Sequence, residues 1–388
     1  MAQARSARDL DLDHGHEIVT SFASRVAASL ESERFTLVDV GCAGGIEPVW
    51  RVFGERLRAV GFDASGAECR RLASEEKNPD IHYVAGFANV PPDHPFARQA
   101  EGKPDITRNT WPRTSAAHVT QMRRAGLRQA SHAEQIYNNA WMLTEVADPG
   151  RPVVVPDVLR GKGFDDVDFL KIDIDGQDFW VLNSFDGQFD AFGVLAARME
   201  VNLTGGPGDT VNTFNNTDRF MRRHDFELVA LDRHTYSIAA LPAPFAITVP
   251  AQTVSGRVIQ GEAYYARDLA SAEFAERAAR TSTDKLLKLA AIFSVWQQPD
   301  SAAEILLRFR DRLAPRFDVD KALDELAAQS QAGVETPLDY KSYMALFESD
   351  PPEFYPRPSL PPPPPPPITF GRRLREAWLS FRDPNRRR

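Results

Sequence analysis

From residue 35 onward, apolar and polar positions fall into short alternating blocks. FTLVDV at 35–40 is a β-branched apolar run stopped by Gly41. Such a run, followed by a helical stretch, predicts the opening of a β-α unit. LRAVGFD at 57–63 predicts a second strand, 66–75 a helix, and IHYVAGF at 81–87 a third strand. VVVPDVL at 153–159 leads toward the next element, VDFLKIDID at 167–175 predicts a fourth strand, and GVLAARMEV at 193–201 a fifth. FELVALD at 226–232 and HTYSIAAL at 234–241 predict a late hairpin, and EAYYARD at 262–268 a last strand. Strands alternating with helices imply an α/β fold, an open, mostly parallel, Rossmann-like sheet with helices on both faces.

The flanks carry other patterns. Ile18, Phe22, Val26 and Leu30 lie four apart, a helical stripe within a 1–34 extension that packs on the domain after it. The sheet domain spans 35–270, and 91–150 interrupts its alternation. That stretch is too long for a simple connection and builds either a cap beside a substrate pocket or a packing insertion. Residues 271–348 predict a helical C-terminal region, with Asp300 or Ser301 as N-cap of the helix after Pro299. In the final segment, 349–388, eleven of the seventeen residues 351–367 are proline, seven of them consecutive. Seven prolines favour a stiff polyproline II rod of roughly 20 Å. From Arg357 to Arg388 there are eight arginines against Glu376 and Asp383, so the tail is +6 and the rest of the chain −14. Leu374, Trp378 and Phe381 form a stripe among those arginines. It suits the inner face of a membrane or a protein partner; the other reading is a solvated tail.

Composition narrows the class. The chain has 388 residues, enough for two or three domains, with 43% hydrophobic and 26% charged residues, which excludes a wholly disordered protein. Two cysteines, Cys42 and Cys69, exclude a disulfide framework. A net charge of −8 argues against nucleic acid as a partner. No apolar run reaches the ~18 residues of a membrane span. The opening MAQARSARDLDLDHGHE has no secretory pattern, so the expected setting is the cytoplasm. The sequons at Asn202 and Asn215 are then chance matches.

The chemistry concentrates in three strings. The first is Asp39-Val40-Gly41-Cys42-Ala43-Gly44-Gly45, a glycine-rich turn after a strand. It fails the dinucleotide spacing G-x-G-x-x-G and lacks the Lys-Ser/Thr of a P-loop. It fits D-x-G-x-G-x-G, the pattern of S-adenosylmethionine-dependent methyltransferases, with Ala43 in place of the middle glycine. Gly41 and Gly45 let the backbone turn and approach the cofactor's amino-acid moiety. Asp39 holds the loop or reaches the methionine ammonium. The alternative is a glycine-rich turn of some other α/β protein. In the second string Asp63 ends the next strand, 22 residues after Gly41, where a carboxylate can accept from both ribose hydroxyls or cap the following helix, as Ser65 could also do. Phe87, at the end of the third strand, joins the cofactor-binding set.

The third string, Val167 to Asp178, resembles the FkbM-type methyltransferases, whose fourth strand reads close to D-x-L-K-I-D-x-x-G-x-E. Asp168, Leu170, Lys171, Ile172, Asp173 and Gly176 match, and Asp178 stands where Glu is usual. The resemblance covers about 35–268. It implies a class I methyltransferase sheet, S-adenosylmethionine as cofactor, and O-methylation of a hydroxyl on a saccharide or related metabolite. Asp173 at the carboxyl end of the fourth strand and Glu200 at the end of the fifth are the candidate bases; His82 and His118 are further candidates that read more readily as structural. Lys171 lies two residues from Asp173, on the same face, and pairs with an acid or serves the chemistry. Asp175 and Asp178 cap the next helix. In the insertion, Asn109, Trp111, Arg113 and Ser115 suit a polar ring-shaped acceptor, or form an ordinary polar loop. No His/Cys cluster has metal-ligand spacing, so no metal is expected. Two rival functions stand beside this one: a nucleotide-dependent oxidoreductase, and a non-catalytic methyltransferase-fold adaptor acting through its helical region and basic tail.

Overall fold

The computed structural model describes residues 21–100, 148–174, 178–203, 208–236, 243–244, 246 and 253–355. Ile18, Asn109, Trp111, Arg113, Ser115, His118, Asp175, Gly176 and the basic tail lie outside them. Alternation builds the sheet. In β1 (Phe35–Val40), Phe35 and Leu37 enter one hydrophobic layer and Val38 and Val40 the other. With β2 (Leu57–Asp63), β3 (Ile81–Ala88), β4 (Arg151–Val153), β5 (Phe169–Ile172), β6 (Ala196–Asn202), β7 (Glu227–Tyr236) and β8 (Arg257–Ala266) it forms an eight-stranded sheet ordered β4-β3-β2-β1-β5-β6-β8-β7. All neighbours pair parallel from β4 to β6, and β8 runs antiparallel between β6 and β7. The strand order reverses between β1 and β5, which opens a crevice at their carboxyl ends. The fold is a Rossmann-like α/β sheet.

Helices cover both faces. They are α1 (Ser21–Ser29), α2 (Gly66–Glu75), α3 (Pro95–Ala100), α4 (Val155–Gly161), α5 (Asp178–Asn183), α6 (Phe214–Arg223), α7 (Ala275–Arg280), α8 (Thr283–Val295), α9 (Pro299–Arg308), α10 (Arg310–Leu313) and α11 (Val319–Ser330); a further helix, α12 (Tyr340–Ser349), follows them in the chain. Residues of α4, α5 and α6 pack on Val38, Leu170 and Met199. On the other face, α1, α8, α9 and α11 share a core with Phe35, Phe169 and Tyr264. Twelve of the thirteen residues of α8 are buried, so it is enclosed on all sides. Trp50 lies 5.3 Å from Phe35 and 4.6 Å from Phe169, and Trp296 of the same layer is 5.1 Å from Tyr264. The C-terminal helices are thus one covering layer of the sheet. Lys341 begins a second compact unit, in which Phe354 packs on Tyr343 and Phe347.

Three expectations need correcting. The expected hairpin is one strand, β7, running to Tyr236 through two irregularities, and its partner is β8; residues 237–241 are outside the described set. An edge strand tolerates the polar Asp232-Arg233-His234 that suggested a turn. The stretch 153–159 divides into the end of β4 and helix α4, whose first turn carries Pro156. Helix α9 begins at Pro299 with Gln298 at its cap, so Asp300 and Ser301 lie inside the first turn. Proline, its φ already helical, sets that start.

Candidate active site

The glycine turn sits at the β1/β5 crevice. Gly41, Gly44 and Gly45 all have positive φ, and a Cβ on Gly41 would lie 1.7 Å from the carbonyl oxygen of Asp173. Only glycine lets β1's exit pass so close to the end of β5. Ala43 is absent from the positive-φ residues, so a side chain stands there without backbone strain. The turn leads into a 3₁₀ helix, Pro48–Arg56, rather than an α-helix.

The amides of this turn are occupied from within. Gly41 and Cys42 N–H donate to the Phe62 carbonyl, Gly45 N–H to the Cys42 carbonyl, and Gly44 N–H to Glu68 Oε1 at 3.1 Å. Burial raises the Cys42 thiol's pKa well above the usual range, which keeps it an inert core group.

Period two then places a polar row on one sheet face above the aromatic layer. Asp39 on β1, Lys171 and Asp173 on and after β5, Arg198 and Glu200 on β6, and Glu262 on β8 follow the alternation of Phe35, Phe169, Ala196 and Tyr264. Lys171 Nζ lies 3.2 Å from Asp39, 3.6 Å from Asp173 and 3.9 Å from Glu47. Arg198 pairs with Glu47 and, at 3.1 Å, with Glu262. Glu200 accepts from Gln260, which accepts in turn from the Tyr236 hydroxyl. Four carboxylates, Asp39, Glu47, Asp173 and Glu262, therefore share two cations. Burial pushes the Asp39 carboxyl up, against the pull of Lys171. Burial alone would lower the Lys171 ammonium, but Asp39, Asp173 and Glu47 hold it above its ordinary value. Burial pushes Glu262 up to about 7 although Arg198 opposes it.

Asp173 is the accessible member, with its side chain 33% exposed against 9% for the Glu200 residue. Its N–H donates to the Val40 carbonyl, and the fully buried Asp178 accepts from Ile174 N–H and from Asn212. Asp178 thus braces the loop that carries Asp173. Asp63, at the end of β2, is half-buried; its Oδ1 accepts from Ser65 N–H, while the Ser65 hydroxyl caps α2. Burial raises the Asp63 pKa, opposed by that N–H. Phe87 is half-buried at the end of β3. His82 is exposed near the start of β3 against Phe164, apart from the row. Asp168 is at the opposite end of β5, bound to Lys285 and Lys288.

Sequence reasoning missed Glu47, Arg198 and Glu262. The alternation Ala196, Arg198, Glu200, Asn202 in a buried strand was a usable signal for Arg198; Glu47 carries none. A cleft of about 910 Å³ lies at the amino ends of the strands, lined in part by Asp166, Asp190, Arg267, Arg277 and Lys285. Asp190 pairs there with Arg267 and Arg277, and Asp166 with Lys285, so its charges satisfy one another away from the glycine turn. Among the described residues no group of three or more His, Cys, Asp or Glu converges as a metal site, and no helix is long and apolar enough to cross a membrane.

Glu262 makes the pH dependence of stability testable. Its pKa is higher folded than unfolded, so its contribution is present below about pH 4.5 and is lost as pH rises through about 7. Glu262→Gln removes the titrating group and is expected to flatten that decline between pH 5 and pH 8. Urea unfolding at pH 5 and pH 8 checks it; an equal slope in both proteins would assign the charge cost elsewhere.

No family model matches the chain, and no curated protein matches it. Solved structures do. A TehB-like SAM-dependent methyltransferase from Corynebacterium glutamicum is 10% identical, covering 63% of this chain and 87% of its own, with a TM-score of 0.25. A SAM-dependent methyltransferase from Aquifex aeolicus is 9% identical over 64% of this chain and 89% of its own, at 0.25. A protein from Streptococcus pneumoniae described as a tRNA methyltransferase is 10% identical over 72% of this chain and 100% of its own, at 0.26. Superposition is loose at such scores, and the fold assignment rests on this sheet's own strand order and register.

Proposed function

We propose that the chain is an S-adenosylmethionine-dependent methyltransferase that methylates a hydroxyl of a saccharide or related metabolite. The observation that carries the cofactor is the internal use of the turn's amides beside a carboxylate-rich row. A pyrophosphate needs free N–H groups at a helix N-terminus. Here Glu68 holds the Gly44 N–H, and Asp39, Glu47 and Asp173 stand alongside. A sulfonium with a neighbouring ammonium fits that field; a dinucleotide is repelled by it. The same surplus of carboxylates disfavours a polyanionic acceptor such as nucleic acid and suits hydroxyl groups, which donate to carboxylates. The resemblance of the β5 string to FkbM-type enzymes supports the hydroxyl acceptor.

When bound, the cofactor supplies an electrophilic methyl group. Gly41 and Gly45 allow the backbone to approach it, and Asp63 holds the ribose hydroxyls with its remaining oxygen. Phe87 flanks the same crevice. Asp173 takes the proton from the acceptor hydroxyl as transfer proceeds, with the Lys171 ammonium 3.6 Å away to orient it. Glu200, held by Gln260, is the second candidate for that proton. Asn109, Trp111 and Arg113 are proposed for the acceptor side on their sequence alone.

Isothermal calorimetry tests the cofactor. S-adenosylhomocysteine is expected to bind and NAD not, and Asp63→Ala to weaken that binding by about 10- to 100-fold. Absence of S-adenosylhomocysteine binding together with NAD binding would replace the reading with an oxidoreductase.

A further inference from the structure

The ion row carries a charge surplus beside the glycine turn. Asp39, Glu47, Asp173 and Glu262 outnumber Lys171 and Arg198 by two, and Lys171 Nζ also donates to the Gly41 carbonyl at 3.3 Å. The row is thus tied to the backbone turn that the cofactor would approach. Glu262 stands opposite Glu200 on β6 and opposite Asp232 on β7. Asp173 follows Ile172, which pairs with Met199 just before Glu200, so these four carboxylates share one level across four strands. Arg198, 3.1 Å away, and Lys171 favour the Glu262 charge, while Asp173 and Glu47 oppose it. Two residues past Asp232, burial lowers the His234 pKa against the pull of Asp232 and Asp173, so His234 adds no charge at neutral pH.

We propose that this row selects the methyl donor over its demethylated product, with Glu262 as the residue that sets the degree of selection; the inference rests on the methyltransferase reading above. Methyl transfer leaves the donor's sulfur as a neutral thioether. Donor and product therefore differ by one methyl group and one positive charge and share every other group. Contacts to the ribose or to the amino-acid moiety cannot tell them apart, but a field can. One surplus charge at about 10 Å in a partly buried site is worth roughly a tenfold change in affinity. The surplus of the row holds the cationic donor and lets the neutral product leave. Glu262 adjusts that surplus. Its carboxyl titrates at about 7, so taking up a proton there lowers the surplus from two to one. A bound cation favours the ionised form, so donor affinity rises as pH climbs through about 7, while affinity for the neutral product stays level.

Calorimetry on the full chain, without any acceptor, tests this with three probes. They are S-adenosylmethionine, S-adenosylhomocysteine and sinefungin, in which a carbon-borne ammonium replaces the sulfonium. At about pH 7.5, S-adenosylmethionine and sinefungin should each bind about 10- to 100-fold more tightly than S-adenosylhomocysteine. That preference should grow about 4-fold between about pH 6 and about pH 7.5. Glu262→Gln should hold it level and lower it about 5- to 10-fold at the higher pH, whereas Glu262→Asp, which keeps the charge, should retain the growth. Unchanged S-adenosylhomocysteine affinity in both variants shows that they fold. Equal or tighter binding of S-adenosylhomocysteine overturns the proposal and leaves the cofactor reading standing. So does a pH response that survives Glu262→Gln. Sinefungin that binds only as well as S-adenosylhomocysteine overturns it too, because the preference would then belong to the methyl group and not to charge. Binding of none of the three removes the cofactor reading and this proposal together.

Discussion

Asp173→Ala will lower turnover at saturating cofactor and acceptor by about 10²- to 10⁴-fold, the usual contribution of a positioned proton acceptor. The fold should survive the change. Asp173 lies after the last residue of β5, its side chain is one-third exposed, and the hydrogen bond that fixes it comes from its backbone N–H to Val40. Lys171 keeps Asp39 and Glu47 as counter-charges. S-adenosylhomocysteine affinity should therefore change little while kcat falls. Asp173→Asn should behave as the alanine variant does, because an amide cannot take the proton. Unchanged turnover in both variants would remove Asp173 from the reaction and leave Glu200 as the group to test.

The largest stability effect is expected at the other end of the same strand. Asp168 is fully buried; it accepts from Thr36 N–H at 2.7 Å and lies 2.8 Å from Lys285 and 3.2 Å from Lys288. Lys288 is itself fully buried and also reaches Glu33. Asp168→Ala leaves two ammonium groups facing a buried hole, which costs about 3–5 kcal/mol when a buried pair loses one partner. That is a large fraction of the roughly 5–15 kcal/mol by which domains are stable. Urea unfolding at pH 7 checks the figure. Asp168→Asn keeps an acceptor for Thr36 but not the charge, so it should remain strongly destabilised. A loss below about 1 kcal/mol in both would mean that the lysines reach water and that Asp168 does not anchor the covering helices.

These two aspartates show what the sequence made legible. Both stand in the string that resembles FkbM-type strands, yet they sit at opposite ends of β5 and serve different ends. Strand alternation was readable because apolar residues repeat every second position in β1, β5 and β6. The glycine turn was readable because positive φ demands glycine. The ion row was less so. Pairing with an acid was one of two roles open to Lys171 in the sequence, but Glu47 reaches it from a 3₁₀ entry that has no periodic signature, and Glu262 arrives on the reversed strand β8. Contacts between residues more than sixty positions apart leave no local trace. The polar edge strand β7 misled for a related reason: its pairing with β8 outweighs the turn-like composition of Asp232 to His234.

The enclosure of α8 has a bearing on biosynthesis. A ribosome will have delivered every strand of the sheet by residue 266, yet one side of it, including Phe35, Trp50 and Phe169, waits for a helix that begins at Thr283 and for the helices packed behind it. Until then the nascent sheet presents a greasy flank to the cytosol or to a chaperone. The wait ends only once about sixty further residues have been translated, and a stall or premature stop within that interval leaves a sticky fragment in place of a folded domain.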